Sequence, residues 1–539
     1  MVMVRRILGY FFLILIIVAF LQCARRGSPT GGPQDTTPPE LIKAEPEQMT
    51  INFDQKKIKL YFDEYVKLED VQNQLIVSPP LKYPPQIIPQ GGASKYIEIT
   101  LKDTLKENTT YTLNFGQSIV DNNEGNPNSF LTYVFSTGSY IDSLTVSGVV
   151  KDAYDKEAGT FISVMLYEID SVFNDSTIYK IPPNYITNTL DSTTIFRLNN
   201  LKAGNYAMFA VKDETKNNVF DQKTDKIAFL PDTISIPTDS IYVLNLFKEI
   251  GDYSVAVPSF EAKNKIIFGY QGKGENIAIE PLTSLPDTIR TIISKEPDKD
   301  TLNYWFTPFE TDSIVFKITN EKERIIDTFT VKTRKVGLDS LKLTPNQRSS
   351  LSFEEPFYIS ANTPIAKIDT SKITLTNKDS LAVGFLAVLD STENRLNINF
   401  EVEPNESYGL SLFPGVIEDF FETRNDTLMY RLTTGSYADF GNLRLNISGN
   451  ATYPLIVQLT DESGETKREI YATTPKTFEF NNLPPTKYLI RVIYDSNENG
   501  EWDTGSYLNK KQAEKVSYYP EVIEVRANWE LEQTFILQD

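Results

Sequence analysis

Short runs in which apolar and polar residues strictly alternate recur along this chain, as in Ile58-Lys59-Leu60-Tyr61-Phe62, Tyr111-Thr112-Leu113-Asn114-Phe115 and Leu396-Asn397-Ile398-Asn399-Phe400. Successive residues of an extended strand point to opposite sides, so each run has one greasy and one wet face. Turn clusters such as Asp121-Asn122-Asn123-Glu124-Gly125-Asn126 separate the runs, and no stretch carries a sustained helical period with caps. The expectation is an all-β chain, most simply a row of sandwiches. With 539 residues the chain exceeds what one core can organise, since domains typically hold about 100 to 150 residues, so four or five domains are expected.

Self-similarity divides the row. Asn108, Tyr111 and Leu113, followed by Thr137-Gly138-Ser139-Tyr140 and Asp142, recur at one constant spacing as Asn405, Tyr408 and Leu410, then Thr434-Gly435-Ser436-Tyr437 and Asp439. Segments 38–139 and 338–436 are therefore read as copies of one unit. Each is followed by a second kind of unit, 140–247 and 437–539. There Phe196-Arg197-Leu198-Asn199-Asn200-Leu201 with Tyr206 is matched by Phe478-Glu479-Phe480-Asn481-Asn482-Leu483 with Tyr488. The middle segment, 248–337, has strand-like runs such as Ile266-Ile267-Phe268-Gly269-Tyr270 and no copy elsewhere.

Segment 38–139 resembles the SbsA-type bacterial Ig-like domain. The resemblance is carried by Pro38-Pro39 at entry, the Ile58 to Phe62 strand with Asp63-Glu64 and Val66, Asn108-Thr109-Thr110-Tyr111, Asp121 with Gly125-Asn126, and the exit Phe135-Ser136-Thr137-Gly138. The second copy keeps Phe353-Glu354-Glu355-Pro356 and Thr434-Gly435 but not the entry prolines or the Gly-Asn turn. The other repeated unit is similar to the prealbumin-like sandwiches found beside carboxypeptidases and in surface proteins. These resemblances imply tandem Ig-like and prealbumin-like β-sandwiches in spacer, adhesion or scaffold roles, although fold by itself fixes no function.

At the N-terminus Arg5 and Arg6 precede an apolar stretch from Ile7 to Leu21 that ends in Phe20-Leu21-Gln22-Cys23. The stretch is too short for a spanning helix and reads as a signal peptide, residues 1–22. Its end resembles the lipobox of bacterial lipoproteins, which implies cleavage before Cys23 and acylation, palmitate included, of that thiol. Gln22 departs from the small residue usual there, and the other reading is a plain signal anchor. Residues 23–37, rich in Gly, Pro, Ser and Thr, read as a flexible tether. The expected address is the cell envelope, as an outer membrane lipoprotein whose lipid anchor makes the membrane one partner.

Composition closes off other classes. The chain contains no histidine, which removes the usual proton shuttle near neutral pH and the commonest metal ligand. Cys23 is the only cysteine, so no internal disulfide can form. Basic residues number 53 against 72 acidic ones, spread without a basic block, which argues against nucleic acid. Adjacent carboxylates such as Asp63 and Glu64, or Glu418 and Asp419, point to opposite faces of a strand, whereas a glycosidase needs two facing each other. The chain is read as not an enzyme. The leading function is an envelope scaffold whose partners are other envelope proteins or glycans; the alternative is a carbohydrate-binding surface lipoprotein of a glycan-utilisation system, with abundant Tyr and Phe as stacking platforms.

Two local patterns carry candidate chemistry. In Asp495-Ser496-Asn497-Glu498-Asn499-Gly500-Glu501-Trp502-Asp503 the oxygen-bearing residues Asp495, Asn497, Asn499 and Asp503 fall at positions 1, 3, 5 and 9 of a calcium loop, with glycine at 6. Position 12 is Ser506 rather than a bidentate glutamate. The sister loop offers Asp213, Thr215, Asn217 and Asp221, with Asn218 in the glycine's place, a residue that tolerates a left-handed backbone. The competing reading of both is an Asx-rich hairpin turn that binds nothing. The second pattern is Asp, then Ser or Thr, then a small or branched apolar residue or Thr, as in Asp142-Ser143-Leu144, Asp232-Thr233-Ile234, Asp312-Ser313-Ile314 and Asp426-Thr427-Leu428. It resembles the acceptor of an envelope O-glycosylation system, and it also suits a turn closing just before a strand.

Overall fold

The structure is a computed structural model that describes residues 35–129, 131–189, 194–297 and 299–538. The leader, Cys23 and most of the tether lie outside the described residues. The fold is all-β, and among the described residues the longest helix is the single turn Val71–Gln74. No described helix is long and apolar enough to cross a membrane. The chain divides into two compact units, residues 1–143 and 144–539.

In the first unit, strands Leu41–Glu45, Lys57–Leu68, Ser94–Thr100 and Gln86–Ile88 form one antiparallel sheet, with Ile119–Asp121 added to Lys57–Leu68. A second sheet runs Ile76–Ser78, Thr110–Asn114, Thr132–Ser136. The alternation predicts which side chains lie between them: Ile58, Leu60, Phe62, Tyr111, Leu113 and Phe115 are buried, while Lys59, Tyr61, Thr112 and Asn114 face out. One bond ties the turn to the core. The Tyr111 hydroxyl accepts from the Lys106 backbone N–H at 2.9 Å, an arrangement worth about 1 kcal/mol.

The second unit packs four sandwich-like layers pairs in sequence. Its copy of the Ig-like unit keeps the same device: Tyr408 accepts from the Glu403 N–H at 2.8 Å, and Thr434, like Thr137, bonds the turn below it through its hydroxyl. Asn108 and Asn405 are both left-handed, at φ 48 and 54, which only Gly, Asn or Asp adopts cheaply. The two prealbumin-like segments also agree in topology. In each, a central strand (Leu144–Asp152 or Gly441–Gly449) pairs antiparallel with one neighbour (Ile195–Leu201 or Thr477–Leu483) and parallel with the other (Ile241–Leu246 or Glu530–Leu537). Five further strands form the opposing sheet in both, with the same order. Between them, residues 254–332 build two sheets around Ile266, Phe268, Tyr304 and Phe316.

The triplets at Asp142, Asp232, Asp312 and Asp426 lead directly into strands that begin at Leu144, Ile234, Ser313 and Leu428. Ser143, Thr233 and Thr427 are exposed, and the apolar residue after Thr233 and Ser313 turns into a core. At Asp170 and Asp390 the carboxylate accepts the N–H two residues on, at 2.8 and 3.1 Å, as expected of a turn-closing aspartate.

Candidate functional site

The two Asx-rich loops share one scaffold. Asp495 is 1% exposed and accepts the N–H groups of Asn499 and Gly500 at 3.1 and 2.8 Å. Asp213 accepts those of Asn217 and Asn218 at 3.3 and 2.7 Å and the Thr215 hydroxyl at 3.2 Å. Gly500 and Asn218 are both left-handed, at φ 77 and 59. The Asn499 and Asn217 amide oxygens accept the N–H two residues on, at 2.8 and 2.9 Å. Asp503 receives the Asn497 side-chain amide and, at 3.4 Å, that of Asn499, whereas Asp221 accepts the Lys223 N–H at 2.9 Å. Each loop is thus closed by its own polar groups, and among the described residues no group of three or more acidic side chains is placed to hold a metal ion. Binding calcium would require the Asn497 and Asn499 amides to turn their oxygens toward Asp495 and Asp503.

One member of this constellation is invisible to loop spacing. Glu514, 6% exposed, accepts the Ser496 N–H at 2.7 Å and the Asp503 N–H at 3.1 Å, joining the two ends of the loop. Asp225, fully buried, does the same in the first copy, accepting from Glu214 at 3.2 Å and Asp221 at 2.8 Å. Asp225 follows Asp221 by four residues and Glu514 follows Asp503 by eleven. The second copy therefore carries seven extra residues at this corner.

Those extra residues form a plug. The hairpin closed by Ser506 and Lys511, at 2.7 and 2.9 Å, pushes Tyr507 onto the first prealbumin-like segment. There its ring meets Phe209 at 5.2 Å and Phe229 at 5.3 Å, both edge to face. Tyr507 is 3% exposed; its N–H donates to Glu249 and its hydroxyl to Asp175 at 3.2 Å. Lys510 adds an ion pair to Asp175 at 2.6 Å, and Gln512 donates to the Phe229 carbonyl at 3.0 Å. Gly505 is required here, because a Cβ would lie 2.6 Å from the Phe247 ring and 2.8 Å from the Lys511 carbonyl.

A second prong grips in the opposite sense. Tyr154, from the first prealbumin-like segment, lies against Trp502 at 4.6 Å and under the Arg491 guanidinium at 4.1 Å. Arg491 is 1% exposed and donates to Gln458 at 2.6 Å, Thr466 at 3.0 Å and Tyr518 at 3.2 Å. The Tyr518 hydroxyl in turn donates to the Tyr154 carbonyl at 2.9 Å. Sequence reading missed both prongs, since Trp502 and Tyr507 look like ordinary loop aromatics; the extra length before Glu514 is the signal that could have found them. The carboxylates Glu418 and Asp419 are likewise structural: Glu418 pairs with Lys367 and Arg424, both at 2.8 Å, and Asp419 accepts from Phe421 at 2.9 Å and Thr423 at 2.8 Å.

Together these features define a chain of β-sandwiches, two of whose repeats are locked together by aromatic contacts. Residues 35–137 match the bacterial Ig-like domain family, and no curated protein matches the chain. Among solved structures it is similar to domains 1–6 of the surface-layer protein SbsC, at 11% identity over 90% of this chain and 67% of that one, with a TM-score of 0.14. The major pilin subunit BcpA of Bacillus cereus aligns at 10% identity over 73% of this chain and 99% of that one, TM-score 0.14. A Bacteroides ovatus protein of a mixed-linkage glucan utilization locus, SGBP-B, solved with a heptasaccharide, aligns at 11% identity over 71% and 92%, TM-score 0.18.

Proposed function

We propose that this chain is a non-catalytic lipoprotein of a bacterial cell envelope, held in the outer membrane by acyl chains on Cys23 and working as a structural, adhesion or assembly scaffold. Its parts are a leader (1–22), a tether (23–37), an SbsA-type Ig-like domain (38–139), a prealbumin-like sandwich (140–247), a further β domain (248–337), a diverged Ig-like domain (338–436) and a second prealbumin-like sandwich (437–539). The observation that carries the reading is the double aromatic lock, in which Tyr507 and Tyr154 each insert into the other repeat. Such a contact makes a frame rather than a hinge, which suits a part that bears or positions others. Two or more acyl chains, each methylene contributing roughly 0.8 kcal/mol, suffice for anchoring without a spanning helix. Cys23→Ser is expected to move the protein from the membrane to the soluble fraction and to leave its mass without fatty acid. Retention in the membrane fraction at unchanged mass would refute the anchor, and the same intact mass reads any glycan on the Asp-Ser/Thr triplets.

A glycan-binding role is favoured by one feature of the first unit. Tyr61 and Tyr96 stand in one cross-strand row on the outer sheet face, rings 5.9 Å apart, with lysines 43 and 59 over them. Exposed rings backed by hydrogen-bonding side chains are what a sugar face stacks on. Saturable binding to a purified polysaccharide separates this reading from the first.

Calcium in the Asp495, Asn497, Asn499, Asp503 loop, and more weakly in the Asp213 loop, belongs to the same proposal. Bound calcium would stabilise the folded state by mass action and, through Trp502, the lock beside it. Millimolar calcium is expected to raise the melting temperature of the whole mature chain and to slow exchange of the Trp502 and Tyr507 amides. An identical melt in calcium and in chelator discards the idea.

A further inference from the structure

Residues 144–539 are one compact unit built of four sandwiches, 144–247, 254–332, 343–433 and 441–537. Each has a core of its own, around Val150 and Leu166, Phe268 and Phe316, Ile359 and Leu410, and Leu445 and Val457 in turn. Separate cores let the sandwiches shift as bodies without any of them unfolding. Their arrangement is therefore fixed by the joints between them.

Three joints follow the chain. Between the first and second sandwiches the connection is short, and Tyr253 at its end is buried 6.3 Å from the Tyr270 ring. Between the second and third, Phe421 meets Trp305 at 6.2 Å, edge to face, while Arg290 donates to the Phe420 carbonyl at 3.0 Å and pairs with Glu422 at 3.2 Å. Lys265 adds an ion pair to Asp339 at 2.9 Å. Between the third and fourth, Phe353 lies 4.8 Å from Tyr437 and 5.4 Å from Phe440, and Glu354 and Glu355 accept from Asn482 and Arg468 at 2.7 and 3.4 Å.

A fourth contact joins the last sandwich back to the first. It consists of the Tyr507 plug and the Tyr154 prong, with the Thr504 hydroxyl donating to the Lys248 carbonyl at 2.6 Å. Thr504 and Lys248 are 256 positions apart, and Tyr518 and Tyr154 are 364, so the contact closes the row on itself. Bringing loose ends together costs configurational entropy, and rigid joints between them reduce that cost by raising the effective concentration of one end at the other. In a ring the joints are therefore coupled, whereas in an open row substitutions at distant joints would act independently.

From this cyclic set of contacts we propose that residues 144–539 form a ring held shut by a clasp, the Tyr507 plug with the Tyr154 prong. The clasp draws part of its strength from the Arg290 and Phe421 joint elsewhere in the ring, and its release opens the ring into a row of four folded sandwiches. The plug is placed to release as a unit: residues 504–514 contribute none of the described side chains in the core around Leu445 and Val457, and the Lys510 and Asp175 pair is about half exposed on both sides. Drawing the last sandwich away from the first thus loads the clasp before any core. The ring gives the scaffold reading a mechanical form, yet its closure is measured without anchor or partner, so the two fail separately.

The test uses the mature full-length chain and substitutions away from the clasp. Arg290→Glu sets a like charge against Glu422 at an exposed position, and Phe421→Ala removes the ring that meets Trp305. Each is expected to speed hydrogen exchange of residues 504–514 by about tenfold, with no change in the strands Leu455–Thr460 and Lys487–Tyr494. Tyr154→Ala combined with Tyr507→Ala should raise the radius of gyration in small-angle scattering while the far-ultraviolet spectrum stays that of the wild type. Exchange at 504–514 unchanged in either distant variant would make the joints independent and overturn the coupling, and acceleration spread equally into the two strands would overturn it as general destabilisation. A double variant as compact as the wild type would overturn the clasp.

Discussion

Replacing Tyr507 by alanine is expected to release the second prealbumin-like segment from the first. The ring is almost completely buried against Phe209 and Phe229, and its hydroxyl and N–H engage Asp175 and Glu249. Removing a buried aromatic costs about 3 to 5 kcal/mol, and here the loss also takes from Asp175 the hydrogen bond of the Tyr507 hydroxyl. The effect should fall on the contact and spare the cores, because Leu445, Val457 and Ile490 of the second copy pack without Tyr507. Hydrogen exchange across residues 504–514 should accelerate by at least about a hundredfold, with little change in the strands Leu455–Thr460 and Lys487–Tyr494. A double-mutant cycle with Phe229→Ala should show coupling of about 1 kcal/mol or more. Additive effects, or equal acceleration throughout the segment, would mean that Tyr507 is a core residue of its own copy and not a plug.

Acid should weaken the first unit through Asp121. This carboxylate sits in the corner between two strands, 2% exposed. Burial pushes its pKa up, but the N–H groups of Glu124, Asn126, Asn123 and Gly125 outweigh that and hold it at about 2. Unfolded, an aspartate titrates near 3.9. The folded value lies below the unfolded one, so the ionised group favours folding; its contribution is complete above about pH 4 and is lost as the pH falls through 2. Asp121→Ala should cost about 2 kcal/mol at neutral pH, since it strips four backbone donors of their acceptor, and lower the melting temperature of this unit by roughly 10 °C. It should also flatten the dependence of that melt on pH between 4 and 2. A variant that keeps the wild-type acid slope would assign that slope to other carboxylates.

Much of the fold was legible because it is local. Period-two alternation told the buried from the wet side at Ile58 to Phe62 and at Tyr111 to Phe115, and the pleat allows no other outcome once one face meets a core. The left-handed asparagines at 108, 405, 200 and 482 recur with the repeats because each closes the same turn. The Asx loops were legible as loops, and Asp495 and Asp213 do organise them; their deeper partners Glu514 and Asp225 were not, because seven extra residues shift one of them out of register.

By itself, the sequence determined that this chain is a row of β-sandwiches in repeated order, without the side chain that most proton-transfer chemistry uses, since alternation, turn residues and composition act within a few residues of one another. Only the tertiary structure decided that Tyr507 packs on Phe209 and Phe229, some 280 positions away, and that Arg491 is buried over the Tyr154 ring. Those outcomes depend on which faces meet when separate sandwiches pack, and an aromatic or an aliphatic residue is written the same way whether its partner is the next strand or a distant repeat.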